Sequence, residues 1–140
     1  MKTAIEVHDE LQKTFASGDV DAMLQLFDEN CVIREAPDLP FGGDWKGREG
    51  VVALTTRMSE LFDMVPTPIG TYEVDESRFI AHVSMEMTSK ATGEKHTIPI
   101  LEMYTVKNGR IVEAFPHYWN AGALTTPVSA DDMGLAAEES

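Results

Sequence analysis

The sequence of 140 residues has one cysteine, four histidines, and only 11 lysines and arginines against 24 aspartates and glutamates. A single cysteine excludes a disulfide within the chain, and it also excludes a metal site built from several thiolates. The formal net charge of −13 disfavours phosphate backbones and anionic lipid surfaces, since both are bound by clustered basic side chains. We therefore expect neither nucleic acid nor a membrane as a partner.

Long hydrophobic runs are also missing: no apolar stretch approaches the roughly 18 residues that a membrane span requires. The N-terminus becomes charged too early, at Lys2 and Glu6, for the apolar core of a signal peptide. These absences predict a soluble, cytoplasmic protein. A composition of 43% hydrophobic and 25% charged residues is typical of a globular chain. We expect one domain over residues 1–124 and a small, acidic tail over 125–140.

The first part of the sequence predicts three helices. Thr3 and Glu6 have the spacing of a capping box, which predicts a helix over 3–17 before a stop at Gly18. Asp19 is a candidate cap for a short second helix whose apolar stripe extends to Phe27. A brief strand over 31–35 and a loop over 36–46 precede a third helix that begins at residue 47.

Everything after the third helix predicts β structure, with strands over 62–74, 79–89, 95–106 and 111–119. Pro66 and Pro68 predict that part of the first of these is an edge strand or a bulged strand. Asn108 and Gly109 predict a type I′ hairpin between the last two. The order predicts an α+β fold in which a curled antiparallel sheet packs on three N-terminal helices.

Two-residue turns at Thr92-Gly93 and Asn108-Gly109 would fix the register of the last three strands. In that register Glu102 lies between Val83 and Phe115, on a face that is apolar apart from Glu102, His117 and Glu113. A carboxylate in such surroundings costs several kcal/mol unless it is paired, hydrogen-bonded or protonated. Glu102 and His117 are therefore candidate functional residues.

Three segments carry a resemblance to a known superfamily: Gly-Asp-Val-Asp-Ala at 18–22, Gly-Arg-Glu at 47–49, and the closing hairpin from Tyr104 through Asn108-Gly109 to Trp119. Over about residues 3–119 the chain resembles the nuclear transport factor 2-like superfamily, and within it the SnoaL-like polyketide cyclases and the ketosteroid isomerases. The resemblance implies a cone that encloses a deep apolar pocket, often in a dimer made through the outer sheet face.

The resemblance also implies roles for individual residues. Glu35 falls where ketosteroid isomerases carry a catalytic aspartate base, and Glu102 falls where they carry a protonated aspartate of the oxyanion hole. His117 stands where relatives of limonene epoxide hydrolase place one acid, and Trp119 matches a pocket aromatic. Leu11 and Thr55 replace two isomerase tyrosines, so that hydrogen-bond network is absent.

We therefore predict a cofactor-independent acid–base enzyme, an isomerase, cyclase or dehydratase, with Glu35, Glu102 and His117 as its catalytic residues and no metal. Its substrate is expected to be a small, hydrophobic, carbonyl-bearing and uncharged molecule. The expected substrate-binding residues are Met23, Phe27, Trp45, Arg57, Val83, Met85, Ile100, Tyr104, Phe115 and Trp119.

Two other functions stay open: a non-catalytic domain that binds a small ligand or a protein, and an epoxide hydrolase. The hydrolase is weakened because Val83 and Met85 stand near the positions of its catalytic arginine and aspartate. A homodimer is also expected, because Leu101, Met103 and Tyr118 share an apolar outer face in the predicted register.

Overall fold

In a computed structural model that describes residues 1–125, three helices pack on one six-stranded sheet. The predicted tail over 125–140 lies outside the described residues, apart from Thr125. The elements follow one another as α1 (Ala4–Ser17), α2 (Val20–Gln25), β1 (Phe27–Glu35), β2 (Gly43–Lys46), α3 (Gly47–Leu61), β3 (Phe62–Asp75), β4 (Arg78–Ser89), β5 (Lys95–Lys107), β6 (Arg110–Tyr118) and a 3₁₀ turn (Ala121–Leu124).

The helix boundaries largely follow the capping chemistry. The capping box of Thr3 and Glu6 is formed, and Gly18 ends α1 with φ +70°. The Asp19 carboxylate accepts from the Ala22 backbone N–H at 3.0 Å and begins α2. Phe27, however, starts β1 instead of continuing α2, because it pairs with Ile111 of β6 in the interior.

The sheet has the strand order β2-β1-β6-β5-β4-β3. It is mixed and not purely antiparallel, because β1 runs parallel to β6 while the other neighbours are antiparallel. The proline-bearing β3 lies at one edge, as predicted. The other edge is β2, which falls inside the segment predicted to be a loop.

The register of β5 against β6 differs from the predicted one. Asn108 and Gly109 adopt φ +53° and +74°, as a type I′ turn requires. Beyond the pair of Val106 with Ile111, however, a bulge shifts the ladder, and Glu102 lies opposite Pro116. A shift of one residue exchanges the two faces of a strand. The predicted register is therefore wrong beyond the bulge: the inward residues of β6 are Ala114, Pro116 and Tyr118, while Phe115, His117 and Trp119 lie outside.

The register of β4 against β5 is shifted by two residues, because residues 90–94 lie between the strands in place of a two-residue turn. Val83 pairs with Ile100, and Ala81 pairs with Glu102. An even shift leaves every side chain on its predicted face. Val83 and Ile100 are accordingly buried inside.

The core fills the concave side of the sheet. At the end covered by α1, Val7 and Leu11 are buried, and Phe79 stacks on Tyr104 with ring centroids 4.7 Å apart. At the opposite end, Phe41 and Leu124 are each 1% exposed. The two acidic candidates lie between these apolar layers.

Candidate functional site

Glu35 and Glu102 are brought together inside the curled sheet from strands far apart in sequence. Glu35 is the last residue of β1 and is only 5% exposed. Glu102 lies within β5, on the face shared by Ala81, Ile100 and Tyr104. The two carboxyls are close enough for the charge of Glu102 to raise the pKa of Glu35. The sequence pattern predicted the inward placement of Glu102, and the family resemblance alone implied a site role for Glu35.

The two carboxyls hold their protons to near neutral pH. Burial raises the pKa of Glu102 to about 7. Burial, followed by the charge of Glu102, raises the pKa of Glu35 to about 8. Two neighbouring acids titrate as a coupled pair, so the two titration steps belong to the pair and not to either residue alone. Between about pH 7 and pH 8 the pair carries one carboxylate and one carboxyl group.

Two tyrosines complete the polar cluster. The Tyr118 hydroxyl donates to Glu35 Oε2 at 3.5 Å. Burial, and then the neighbouring carboxylates, raise the pKa of both Tyr104 and Tyr118, so both phenols stay protonated at neutral pH. The predicted register contains no bulge in β6, and it therefore places Tyr118 on the outer face. One signal was present: Ile111 can face inward and Glu113 outward only if an extra residue separates them.

No basic side chain of the described residues compensates the carboxyl pair. Neither Glu35 nor Glu102 forms an ion pair within 1–125, and Glu35 Oε1 has no hydrogen-bond partner there. Arg34 points away from its neighbour Glu35 and binds Glu113 at 2.8 Å and Asp44 at 2.9 Å. Burial without a cation is the physical reason for the raised carboxyl pKa values.

Glu102 is less completely buried than its neighbours on the same face. It keeps part of its surface accessible, although its neighbours Ala81, Ile100 and Tyr104 are buried. Three methionines on the same side of the sheet are partly buried as well: Met58, Met64 and Met85. Unbranched methionine side chains can rearrange around a small molecule.

The open end of the cone is closed by two apolar side chains. Phe41 lies 6.0 Å from the Tyr118 ring and 6.2 Å from Phe62, centroid to centroid, and the Trp45 indole donates to the Phe41 carbonyl at 2.9 Å. Leu124 of the 3₁₀ turn is buried beside them. Segment 36–46, predicted as a loop with large apolar residues, thus contributes a cover for the interior.

Outside this cover lies a cleft of about 430 Å³ between the end of α3, residues 89–96 and the 3₁₀ turn. Its charged and titratable lining consists of Glu60, Glu94 and His96. This mouth cleft, like three other clefts formed by the described residues, does not reach Glu35 or Glu102. The acids therefore lie deeper than any open cleft among these four.

In the structure the remaining predicted site residues, namely His117 and the expected substrate-binding residues, form two groups. One group lies in or against the core: Met23, Phe27, Trp45, Val83, Met85, Ile100 and Tyr104. The inward placement of the other group is wrong, because the bulge turns three of its side chains outward and the fourth is exposed on α3: Phe115, His117, Trp119 and Arg57. The His117 Nδ1 and the Phe115 carbonyl are 2.9 Å apart on the outer face.

Other classes of site receive no support from residues 1–125. No group of three or more histidine, cysteine, aspartate or glutamate side chains is placed to hold a metal ion. Among the helices described, none has the length and apolarity to cross a membrane.

A curled sheet over three helices, with an interior acid pair, defines a cone-shaped α+β fold of the nuclear transport factor 2-like type. The chain is similar to a protein of this type from Burkholderia pseudomallei, of unknown function, at 19% identity and a TM-score of 0.77; 91% of this chain and 100% of the other are covered. The SnoaL-like domain model matches residues 8–114, and the chain belongs to that family.

Two further solved structures share the fold. One, from Mesorhizobium loti, is described as a SnoaL-like polyketide cyclase; it is 24% identical with a TM-score of 0.69, over 83% of this chain and 99% of the other. A hypothetical protein with a ketosteroid isomerase-like fold from Catenulispora acidiphila, solved in complex with trimethylamine, is 13% identical with a TM-score of 0.69, over 90% of this chain and 95% of the other. The comparison with curated proteins found no match.

Proposed function

We propose that this protein is a cofactor-independent acid–base enzyme that isomerises, cyclises or dehydrates a small, hydrophobic, carbonyl-bearing molecule. The observation that carries the proposal is the buried pair of Glu35 and Glu102, with pKa values raised to about 8 and about 7. A carboxylate and a carboxyl group in one apolar site supply a base and a hydrogen-bond donor at neutral pH. Membership of the SnoaL-like family supports this class of chemistry.

In this proposal the Glu102 carboxylate removes a proton from the carbon next to the carbonyl group. The carbonyl oxygen becomes an enolate and accepts hydrogen bonds from protonated Glu35 and from the Tyr118 hydroxyl. Return of the proton to another carbon gives isomerisation. Attack of the enolate carbon on a second carbonyl gives cyclisation, and loss of a β-hydroxyl group as water, with the proton supplied by an acid, gives dehydration.

These roles are the reverse of those expected from the family resemblance, in which Glu35 is the base. The reason is the contact between Glu35 and the Tyr118 hydroxyl, which places two hydrogen-bond donors together when Glu35 is protonated. His117 has no part in it, since its side chain lies on the outer face.

Proton exchange tests the proposal without knowledge of the physiological substrate. A panel of cyclic and unsaturated ketones is incubated with the protein in D₂O, and deuterium uptake next to the carbonyl group is followed by NMR. We expect exchange for at least one ketone, with a rate maximum between about pH 7 and pH 8 set by the acid pair.

Variants identify the residues responsible for exchange. Glu102→Gln and Glu35→Gln are expected to lower the rate by about 10²–10⁴-fold each. The matched control Glu73→Gln changes an exposed glutamate of β3 and is expected to keep the full rate. Full exchange in both active-site variants, or no exchange with any ketone, would contradict the proposal.

A second candidate is a non-catalytic domain that binds a small molecule in the same interior. Closure of the open end by Phe41 and Leu124 favours it, since a turnover enzyme must release product through that cover. The Catenulispora structure, which holds trimethylamine, shows that a protein of this fold can bind a small molecule. Saturable ligand binding with no exchange in D₂O would favour this candidate.

The outer sheet face supports a further proposal, a homodimer. Tyr72, Ile80, Met103 and Phe115 form one row across β3 to β6, and Leu101 lies in the next row. Four strands about 4.8 Å apart and about ten residues long cover roughly 600 Å², close to the roughly 800 Å² per partner of a standard interface. The row has no carboxylate, so a second copy with a net charge of −13 meets little repulsion there.

A further inference from the structure

The carboxyl pair offers more acceptor capacity than the described residues use. Glu35 Oε1 is buried without a hydrogen-bond partner, and Glu102 receives no hydrogen bond from the side chains or backbone within 1–125. A buried acceptor without a partner is destabilising, and a ligand that donates hydrogen bonds removes that penalty. A carbonyl oxygen only accepts, so it can satisfy a protonated carboxyl but not an ionised one; an ammonium group has donors and no acceptor, and it can satisfy the ionised form.

The walls around the pair suit a cation. The rings of Tyr104 and Tyr118 lie beside the two carboxyls, and Phe41 lies 6.0 Å from Tyr118. Aromatic faces attract a desolvated cation through the ring quadrupole. On the inward strand positions around the pair there is no lysine, arginine or histidine to compete with such a ligand.

The charges on the protein surface favour a ligand of the same sign. The mouth cleft carries Glu60 and Glu94, the latter 3.5 Å from His96, and the whole chain has a net charge of −13. A negative protein surface raises the local concentration of cations and speeds their association. An anionic ligand would meet repulsion at the mouth and again at the acid pair.

From these contacts we infer that the interior of the cone binds a small alkylammonium ion, whose N–H groups donate to Glu35 Oε1 and to Glu102 while its alkyl part lies against Tyr104, Tyr118 and Phe41. This ligand differs from the uncharged molecule expected from the sequence. The ammonium ion binds the ionised form of the pair. Below about pH 7, where the pair is protonated, binding therefore releases a proton to solvent. The inference uses the site of the proposed function, but it does not require catalysis.

The test compares tert-butylamine with tert-butanol, two molecules of nearly the same shape. The amine is protonated below about pH 10, as lysine is, and the alcohol is uncharged. Each is titrated into the full-length protein at pH 6, 7, 8 and 9, and the dissociation constant is measured from NMR chemical shifts.

We expect the amine to bind at least about tenfold more tightly than the alcohol at pH 8, as for hydrogen bonds to charged groups. Its affinity should rise up to about tenfold from pH 6 to pH 7, while that of the alcohol stays constant. Glu35→Gln and Glu102→Gln should each reduce the preference for the amine, and Glu73→Gln should retain it.

Equal affinities for the two molecules, an amine affinity that does not change with pH, or no binding of the amine would each overturn the inference. The pH series on the unmodified protein decides the matter even if Glu35→Gln fails to fold. Failure of amine binding alongside ketone exchange would leave the proposed enzyme intact, and amine binding without exchange would leave only the binding function.

Discussion

The Tyr118 hydroxyl lies 3.5 Å from Glu35 Oε2, and the two residues are 83 positions apart in the sequence. The contact joins the end of β1 to the end of β6, which run parallel to each other. It depends on the bulge in β6, since without that bulge Tyr118 would face outward and Glu35 would lose its hydrogen bond.

Stability should fall as pH rises, because both interior acids bind their protons more tightly in the folded state than at their ordinary pKa of 4.5. The folded protein then holds more protons than the unfolded chain between about pH 4.5 and pH 8, which gives a negative slope of unfolding free energy against pH. Glu102 alone accounts for a loss on the order of 3 kcal/mol, at about 1.4 kcal/mol per pH unit.

Urea denaturation at pH 5.5, 7 and 8.5 measures this slope. Glu102→Gln and Glu35→Gln should each flatten it and should raise stability at pH 8.5, whereas Glu73→Gln should leave it as in the unmodified protein. A slope that is the same in all three variants would show that the interior acids are not its source.

Tyr118→Phe removes the hydroxyl that stabilises the ionised form of Glu35. The pKa of Glu35 should therefore rise further above its present value of about 8, because burial and the charge of Glu102 remain. Titration of ¹³C-labelled glutamate carboxyls by NMR follows Glu35 directly, and Tyr72→Phe, an exposed tyrosine of β3, is the matched control. A fall in the Glu35 pKa, or an equal change in both variants, would contradict the assigned contact.

His117→Ala should leave ketone exchange and amine binding unchanged within about twofold, since His117 lies on the outer face and surface changes usually have small effects. The D₂O exchange rate and the NMR titration provide the readouts. A hundredfold loss in either would mean that His117 does reach the interior, as the sequence alone suggested.

Met103→Lys should convert the proposed dimer into a monomer, because it places two like charges within an apolar sheet-to-sheet interface. Sedimentation velocity at several protein concentrations measures the change. The control Val52→Lys alters an exposed apolar residue of α3, away from the sheet, and should retain the dimer. If the unmodified chain sediments as a monomer at all concentrations, the dimer proposal is wrong.

Local patterns predicted most of the elements correctly. The capping box of Thr3 and Glu6, the cap at Asp19 and the Asn108-Gly109 turn each involve four consecutive residues or fewer. They can therefore be predicted from the local sequence alone. Glu102 was identifiable because a charged residue within a buried strand breaks the apolar pattern, whereas Glu35 was identifiable only through the family resemblance.

The incorrect predictions concern segments whose structure depends on pairing with a segment distant in the sequence. Phe27 continues the apolar spacing of α2, but in the structure it pairs with Ile111 of β6. The short strand β2 is defined by its antiparallel pairing with β1. The bulge in β6 exchanges the inner and outer faces of the strand without changing its composition. His117 therefore lies on the outer face and Tyr118 on the inner face, the reverse of the prediction.

The sequence by itself determined the helix starts, the hairpin turn, the α+β class and the candidacy of Glu102 and, through the family resemblance, of Glu35. Only the tertiary structure decided which other groups meet them, since a one-residue shift in a ladder moves a side chain to the opposite face of a sheet. It also decided the charge state of the pair, because the pKa of an acid depends on burial and on neighbours distant in the chain.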